Sequence, residues 1–247
     1  QDGLKTTSWC STLFLLASTY DQDMHANPNN PSATNGTDQA WGGNRARPDL
    51  VKKFFPNGNV PNLESYATAE AAGDDRALFC GVNRTLDNDD VATFKSGFAV
   101  AKFTNFKTDG SAGHDATFPD ADFFLMRAAE AYLNFAEADA RLNGGETTAE
   151  GTAAINAIRK RANASTREDK GYSLNDICDE WSREFYFEGR RRMDLIRFNR
   201  YGGNVNYNWQ WKGGTKEGRN FSKDLNIFAI PTNELTSNKN LIQNPGY

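Results

Sequence analysis

The chain has 247 residues, a formal net charge of −4 and a mean hydropathy of −0.71. That length suits one large or two small domains. The acidic balance argues against a nucleic-acid binder, and no apolar run approaches the roughly 20 residues a membrane helix needs.

Residues 1–120 are dense in Asn, Gly, Asp and Pro, so regular structure should be sparse and loops long. The run Thr12 to Ser18 (TLFLLAS) is a strand or a buried helix turn, which periodicity does not separate. Asp21 to Gly36 is a long polar loop. Pro48 suits a first helical turn and opens a short helix with Leu50, Val51, Phe54 and Phe55 on its buried side. Glu64 to Ala72 reads as another helix, stopped by Gly73. Ser96 to Phe106 (SGFAVAKFTNF) reads as a strand. Long loops on a compact protein are usually functional or disordered, so a ligand is expected in this part.

From Asp122 to Tyr201 the pattern is helical. Leu125, Ala128, Ala129, Tyr132, Leu133, Ala136 and Ala140 recur three or four positions apart, on one helix face. Asn143, Gly144 and Gly145 end that helix. Thr147 with Glu150 reads as a capping box for a second helix, with Ala153, Ala157, Ile158 and Ala162 on its apolar side. The two form an antiparallel hairpin of the size of one tetratricopeptide-like unit. Such a unit cannot bury both of its faces alone. A third helix, capped by Ser173 with Asp176, buries Leu174, Ile177, Cys178, Trp181 and Phe185. Gly189 either kinks it or separates it from a fourth, Arg190 to Tyr201, which buries Met193 and Ile196. Beyond it, LNIFAI looks strand-like, and Leu235 to Tyr247 should be an irregular tail flanked by Pro231 and Pro245.

Trp9, Tyr20, Trp41 and Tyr66 are aromatics in polar, loop-rich surroundings. A pyranose has an apolar face that flat rings can cover at little entropic cost, and Asp21, Gln39, Asn44 and Arg45 could pair with its hydroxyls. The competing reading packs Trp9 on the core and Trp41 on the helix after Pro48. Trp209 and Trp211 read as scaffold. Glu130 and Glu137 lie on one helix face, but neighbouring arginines favour structural pairing over glycosidase chemistry, which needs two carboxylates roughly 5–10 Å apart across a bond. The cluster Arg183, Glu184, Glu188, Arg190, Arg191, Arg192 and Asp194 reads as ion pairs knitting the third helix to the fourth. The acidic loops around Asp21 and Asp87 to Asp90 lack EF-hand spacing. His25 and His114 are the only histidines, and no GxSxG, HExxH, P-loop or GxGxxG is present. The three cysteines lack metal or redox spacing. Their count allows a bridge between Cys10 and Cys80, with Cys178 buried as a small hydrophobe. No metal and no cofactor is expected.

Four blocks in order carry a family resemblance: RAAEAYLNFAEA, AINAIRKRA, REFYFEGRRRMDLIRF and the ending NIFAIPTNELTSNKNLIQNPGY. Together they resemble the SusD/RagB family, glycan-binding lipoproteins on the outer surface of Bacteroidetes-type bacteria. SWCSTLFLLAST and WGGNRARPDLVKKFF are similar to two further family blocks, although Cys10-Ser11 stands where members often carry Gly-Gly. The resemblance implies a mainly α fold: a SusD-like helical scaffold with one tetratricopeptide-like hairpin, long loops and few short strands. It divides the chain into a loop-rich ligand-binding region (1–120), a helical core (121–201) and a C-terminal wrap (202–247). Members are about twice as long and begin with a lipid-modified Cys, so an N-terminal half carrying the anchor is expected outside this chain. The implied function is non-catalytic binding of oligosaccharide at the cell surface, in the outer membrane, for a SusC-like TonB-dependent transporter. The expected glycan site is Trp9, Tyr20, Asp21, Trp41, Asn44, Arg45 and Tyr66. A glycoside hydrolase, or a lid binding peptide or no sugar, are the alternatives.

Overall fold

A computed structural model describes residues 44–115, 122 and 124–247. It divides into two compact units, one ending at Glu188 and the other spanning Gly189–Tyr247.

The first unit begins with a small sheet. Strand β1 (Arg45–Ala46) and strand β2 (Phe79–Cys80) flank a central β3 (Phe98–Val100), all antiparallel. The strand expected over Ser96–Phe106 is thus only Phe98–Val100. Helix α1 (Pro48–Val51) has Pro at its first position and runs on into a 3₁₀ turn, Lys52–Phe54. Val51, Phe54 and Phe55 are buried, as their spacing predicts. Helix α2 (Ser65–Ala72) ends at Gly73, whose φ of 59° is the left-handed conformation a C-terminal glycine adopts without strain. The core of this region is aromatic. Phe79 packs edge-on to Phe54 at 5.5 Å and lies 5.2 Å from Tyr186, whose hydroxyl donates to the Arg76 carbonyl at 2.7 Å.

Helices α3 (Ala128–Leu142), α4 (Ala149–Arg161) and α5 (Leu174–Phe185) follow, so every helix expected here is present. α3 buries Ala129, Leu133, Ala136 and Ala140; α4 buries Ile155 and Ile158; α5 buries Ile177, Cys178, Trp181 and Phe185. The expected single face of α3 is divided: Leu133 is fully buried, but Tyr132 is 46% exposed and Leu125, ahead of the helix, 75% exposed. Ala153 and Ala157 of α4 also face solvent. The Ser173–Asp176 capping box is present, each side chain bonding the other residue's backbone N–H. The Thr147–Glu150 box is not. Asp139, near the end of α3, reaches across instead and accepts from Thr148 N at 2.7 Å and Thr148 Oγ1 at 3.0 Å. Thr147 meanwhile accepts from the Tyr172 N–H at 2.8 Å. Cys80 and Cys178 are buried thiols, so Cys80 is not in the bridge that the cysteine count allowed. Burial pushes the Cys80 thiol up to about 11.

Phe187 and Gly189 have φ of 61° and 73°, and this left-handed turn separates α5 from α6 (Arg191–Arg197). α6 buries Asp194 and Leu195; Met193 is exposed and Ile196 half-buried, contrary to the expected pair. Instead, the Arg192 guanidinium lies 3.9 Å from the Phe228 ring centroid and 5.1 Å from that of Tyr201. Tyr201 stacks on Trp209 at 6.1 Å. Lys212 is buried and donates to the Tyr207 carbonyl at 2.7 Å, holding the YNWQWKGG loop closed. Trp209 therefore packs within the unit, as a scaffold residue would. LNIFAI is not a strand. A 3₁₀ turn, Lys223–Asn226, leads into an extended segment, and helix α7 (Thr232–Ser237) interrupts the tail expected to be irregular.

Candidate functional site

Of the expected glycan residues, Trp9, Tyr20, Asp21 and Trp41 lie outside the described residues, as does Gln39. Asn44 is exposed, just ahead of β1. Arg45 is half-buried on β1, and its guanidinium is engaged by backbone. It donates to the carbonyls of Ser96 at 2.9 Å and Val91 at 3.0 Å, and to that of Thr93. Burial and then the neighbouring Arg84 lower the Arg45 pKa, with Asp90 working against them. Tyr66 stands on α2 and is 78% exposed. α2 packs on β2, whereas Arg45 is on β1, at the opposite edge of β3. Two strand spacings, roughly 10 Å, therefore separate their anchoring elements.

The loop that Arg45 grips, residues 87–97, is held a second time. Arg84 is buried and donates to the carbonyls of Phe94 and Gly97, the latter at 2.9 Å. Within the loop, the Asp90 carboxylate accepts from Ala92 N at 2.9 Å and Thr93 Oγ1 at 2.6 Å. Gly97 has φ of 104°, and a Cβ there would meet Asn88 Nδ2 at 2.0 Å. This fixed loop presents Phe94, 49% exposed, a ring the sequence reasoning did not single out. Its one sequence signal was the neighbouring acidic run Asp87 to Asp90, which lacks EF-hand spacing. Among the described residues no cluster of His, Cys, Asp or Glu could hold a metal ion.

Of Glu130 and Glu137, the pair that could suggest hydrolysis, Glu137 is committed to structure. Glu137 is buried, accepting from Trp181 Nε1 at 3.1 Å and from Arg141 Nη2 at 2.8 Å. Glu180 and Glu184 of α5 are also buried. Arg76, Arg159 and Arg183 lie within 2.7 Å of Glu180, and Arg76 and Arg161 at 2.9 and 2.7 Å from Glu184, which also pairs with Arg127. The pairing expected between third and fourth helices is replaced, for these two acids, by arginines from residues 76–183. Lys102 joins them, donating to the carbonyls of Glu184 and Tyr186 at 3.0 and 2.9 Å. It thereby satisfies acceptors at the C-terminal end of α5, where a cation is favoured.

Residues 72–247 match the model of the SusD family. All seven expected glycan residues precede that match. The whole chain is 36% identical, over 278 aligned positions, to a Bacteroides thetaiotaomicron protein named starch-binding protein SusD, and covers 48% of it. The chain thus spans about half the length of that relative. Among solved structures, a SusD-like protein of Bacteroides fragilis superimposes with a TM-score of 0.55 at 20% identity, over 92% of this chain and 52% of that one. A SusD homologue of Bacteroides thetaiotaomicron does so with a TM-score of 0.51 at 22% identity, over 81% of this chain and 38% of that one. These two speak to the fold alone: a mostly helical scaffold with few short strands.

Proposed function

Because this chain belongs to the SusD family, we propose that it is part of a non-catalytic surface protein that binds an oligosaccharide and delivers it to a SusC-like TonB-dependent outer-membrane transporter. The observation that carries the reading is the family match over residues 72–247, beside the whole-chain likeness to a protein named for starch binding. On this reading the protein sits on the outer face of the outer membrane, held by a lipid anchor outside these residues. Among the described residues no helix is long and apolar enough to cross a membrane.

The glycan lies on the loop-rich part that precedes residue 72. Trp9 or Trp41 stacks on a ring, with Tyr20 and Tyr66 as further platforms, while Asp21, Asn44 and Arg45 meet hydroxyls. Arg45 has a second task there, because the same guanidinium anchors loop 87–97. Phe94 joins the candidate rings on the strength of its exposure on that anchored loop.

A shallow site of this kind binds with a dissociation constant on the order of micromolar to millimolar, roughly 4–8 kcal/mol. The relative's name makes maltoheptaose the first ligand to try. Isothermal calorimetry on the full-length protein should show binding that Trp9→Ala or Trp41→Ala largely removes, with circular dichroism unchanged. Folded variants that bind as tightly as the parent would place the site elsewhere. Release of reducing ends on incubation would point to a hydrolase.

A further inference from the structure

The second unit, Gly189–Tyr247, differs in charge from the chain that carries it. It holds ten Lys and Arg against four Asp and Glu, a net of +6 in a chain of −4 overall. Of the ten cations only Lys212 is buried, and of the four acids Asp194 is buried, 2.9 Å from Arg197. The excess therefore lies at the surface. Several of its guanidiniums are fixed by neutral groups, which orient a charge without cancelling it. Arg192 donates to the carbonyls of Leu225 and Asn226, both at 3.0 Å, and Arg219 to that of Gly213 at 2.8 Å. Tyr207 holds two more, Arg191 through its hydroxyl at 2.6 Å and Arg200 over its ring at 5.0 Å. In the first unit the arginines around Glu180 and Glu184 are held by carboxylates, which do cancel their charge.

Open apolar side chains stand among these cations. Phe228 is 71% exposed, although the Arg192 guanidinium lies 3.9 Å from its ring centroid, and Met193 and Ile227, their neighbours in sequence, are exposed too. Ile242, 86% exposed, is next to Gln243, whose side chain holds the Ile230 backbone. Charge and apolarity together select the occupant. A covering segment of the same protein would bury the apolar groups but leave the charges without partners, which is costly. Residues 1–43 bring four acids and one lysine, too few to cancel the excess. A nucleic acid or an acidic glycan meets the charges but has no use for Met193, Ile227 and Ile242. An anionic bilayer meets both. Its phosphates take guanidiniums through paired N–H donors, and the acyl boundary just beneath takes the apolar side chains.

We propose that the unit Gly189–Tyr247 docks on a phosphate-bearing lipid surface, with Phe228 and Ile242 entering the headgroup boundary. Its cations lie over the headgroups, where the attraction falls off within a Debye length, so the contact is reversible and salt-sensitive. This docking is separate from glycan binding and needs no sugar.

The test is co-sedimentation of the protein from its complete reading frame, made without any attached lipid, with vesicles. It should bind phosphatidylcholine vesicles that contain phosphatidylglycerol and not vesicles of phosphatidylcholine alone, and binding should weaken as salt is raised. Replacing three exposed lysines of the unit together, Lys216→Gln, Lys223→Gln and Lys239→Gln, should weaken it about tenfold or more. Lys107→Gln, Lys160→Gln and Lys170→Gln remove the same charge from exposed positions of the first unit and should leave it unchanged. Equal losses in the two sets, equal binding to both kinds of vesicle, or binding to neither overturns the proposal. So does tighter binding, at matched negative charge, to a single-stranded oligonucleotide or to polygalacturonate, which would make this face a site for that polyanion. A second measurement reads the apolar contribution. Phe228→Ser with Ile242→Ser should weaken vesicle binding with circular dichroism unchanged, and a folded double variant that binds like the parent overturns the proposal. If that variant does not fold, the lysine sets decide.

Discussion

Arg76 Nη1 lies 2.7 Å from Glu180 Oε1, with side-chain exposures of only 10% and 1%. The same guanidinium reaches Glu184 at 2.9 Å and Asp74 at 2.8 Å. Breaking a buried pair leaves a charge without compensation, so Arg76→Ala should cost ~3–5 kcal/mol. Arg141→Ala removes one donor from the buried Glu137, which keeps the Trp181 Nε1–H, and the arginine itself is 41% exposed, so it should cost less, about 1–3 kcal/mol. Urea denaturation of both variants checks the contrast. Equal losses would show that the cluster is no more important than this single half-exposed pair.

The cluster also sets an acid limit. Burial pushes the Glu180 carboxyl up, but Arg183, Arg76 and Arg159 together outweigh it and hold it at about 2, below its ordinary 4.5. Asp176 is likewise held at about 2, where burial is outweighed by hydrogen bonds from Arg167 and Ser173. A carboxyl whose folded pKa is depressed binds fewer protons folded than unfolded between the two values. Its contribution is present above the unfolded value and is lost as pH falls through the folded one. The urea midpoint should therefore be level from about pH 7 to 5 and fall between about pH 4.5 and 2. Glu180→Gln should start lower and fall less steeply. A wild-type midpoint that stays level to pH 2 would contradict this.

Gly151 lies inside α4, where Ala is normally better by about 1 kcal/mol. A Cβ there would meet Asp139 Oδ2 at 2.2 Å, the oxygen that accepts from Thr148 N. Gly151→Ala should consequently destabilise by about 1 kcal/mol, the usual cost of a lost cap. Thermal melts decide the sign. A more stable variant would mean that Asp139 can move aside.

The tail is fastened by side chains in place of a strand ladder. Gln243 Oε1 accepts from the Ile230 N–H at 2.8 Å, and Gln243 Nε2 donates to the Ile230 carbonyl at 2.9 Å. Asn244 Nδ2 donates to the Phe228 carbonyl at 2.8 Å, and the Tyr247 hydroxyl to that of Ile227 at 2.9 Å. Gln243→Ala should cost ~1–2 kcal/mol for two such bonds and speed amide exchange at Ile230. Unchanged exchange there would mean that the clasp is not what protects it.

Arg45 and Phe94 separate loop anchoring from ligand contact. Arg45→Ala should raise hydrogen exchange across residues 87–97, because three of its acceptors are carbonyls of that loop, and should weaken maltoheptaose binding. Phe94→Ala should weaken binding, about tenfold for one lost stacking contact of 1.4 kcal/mol, without affecting exchange. Unaltered binding in both would remove this loop from the site.

The features that the sequence alone determined are local ones. Ser173 and Asp176 are three residues apart, so their capping box is complete in the pattern itself. The stop at Gly73 and the helix at Pro48 are likewise set by one residue's own dihedrals. The ordered helical blocks and the ending in QNPGY already carried the family. Where local signals compete with distant groups, the tertiary structure decided. Thr147 had the right spacing for a cap, but Asp139 took the Thr148 donor from nine positions away. Periodicity put Leu133 and Tyr132 on one apolar face of α3, because both are equally suited to a core, and only the packing shows that Leu133 is buried and Tyr132 half-exposed. Glu180 meets Arg76 across 104 positions of sequence, a distance at which no pattern of charges predicts a partner. Arg45 is expected from sequence to meet ligand hydroxyls, but its task as a loop anchor was not legible there. Its acceptors here are backbone carbonyls, which every residue carries and no composition reveals; only the folding of loop 87–97 brings them to it.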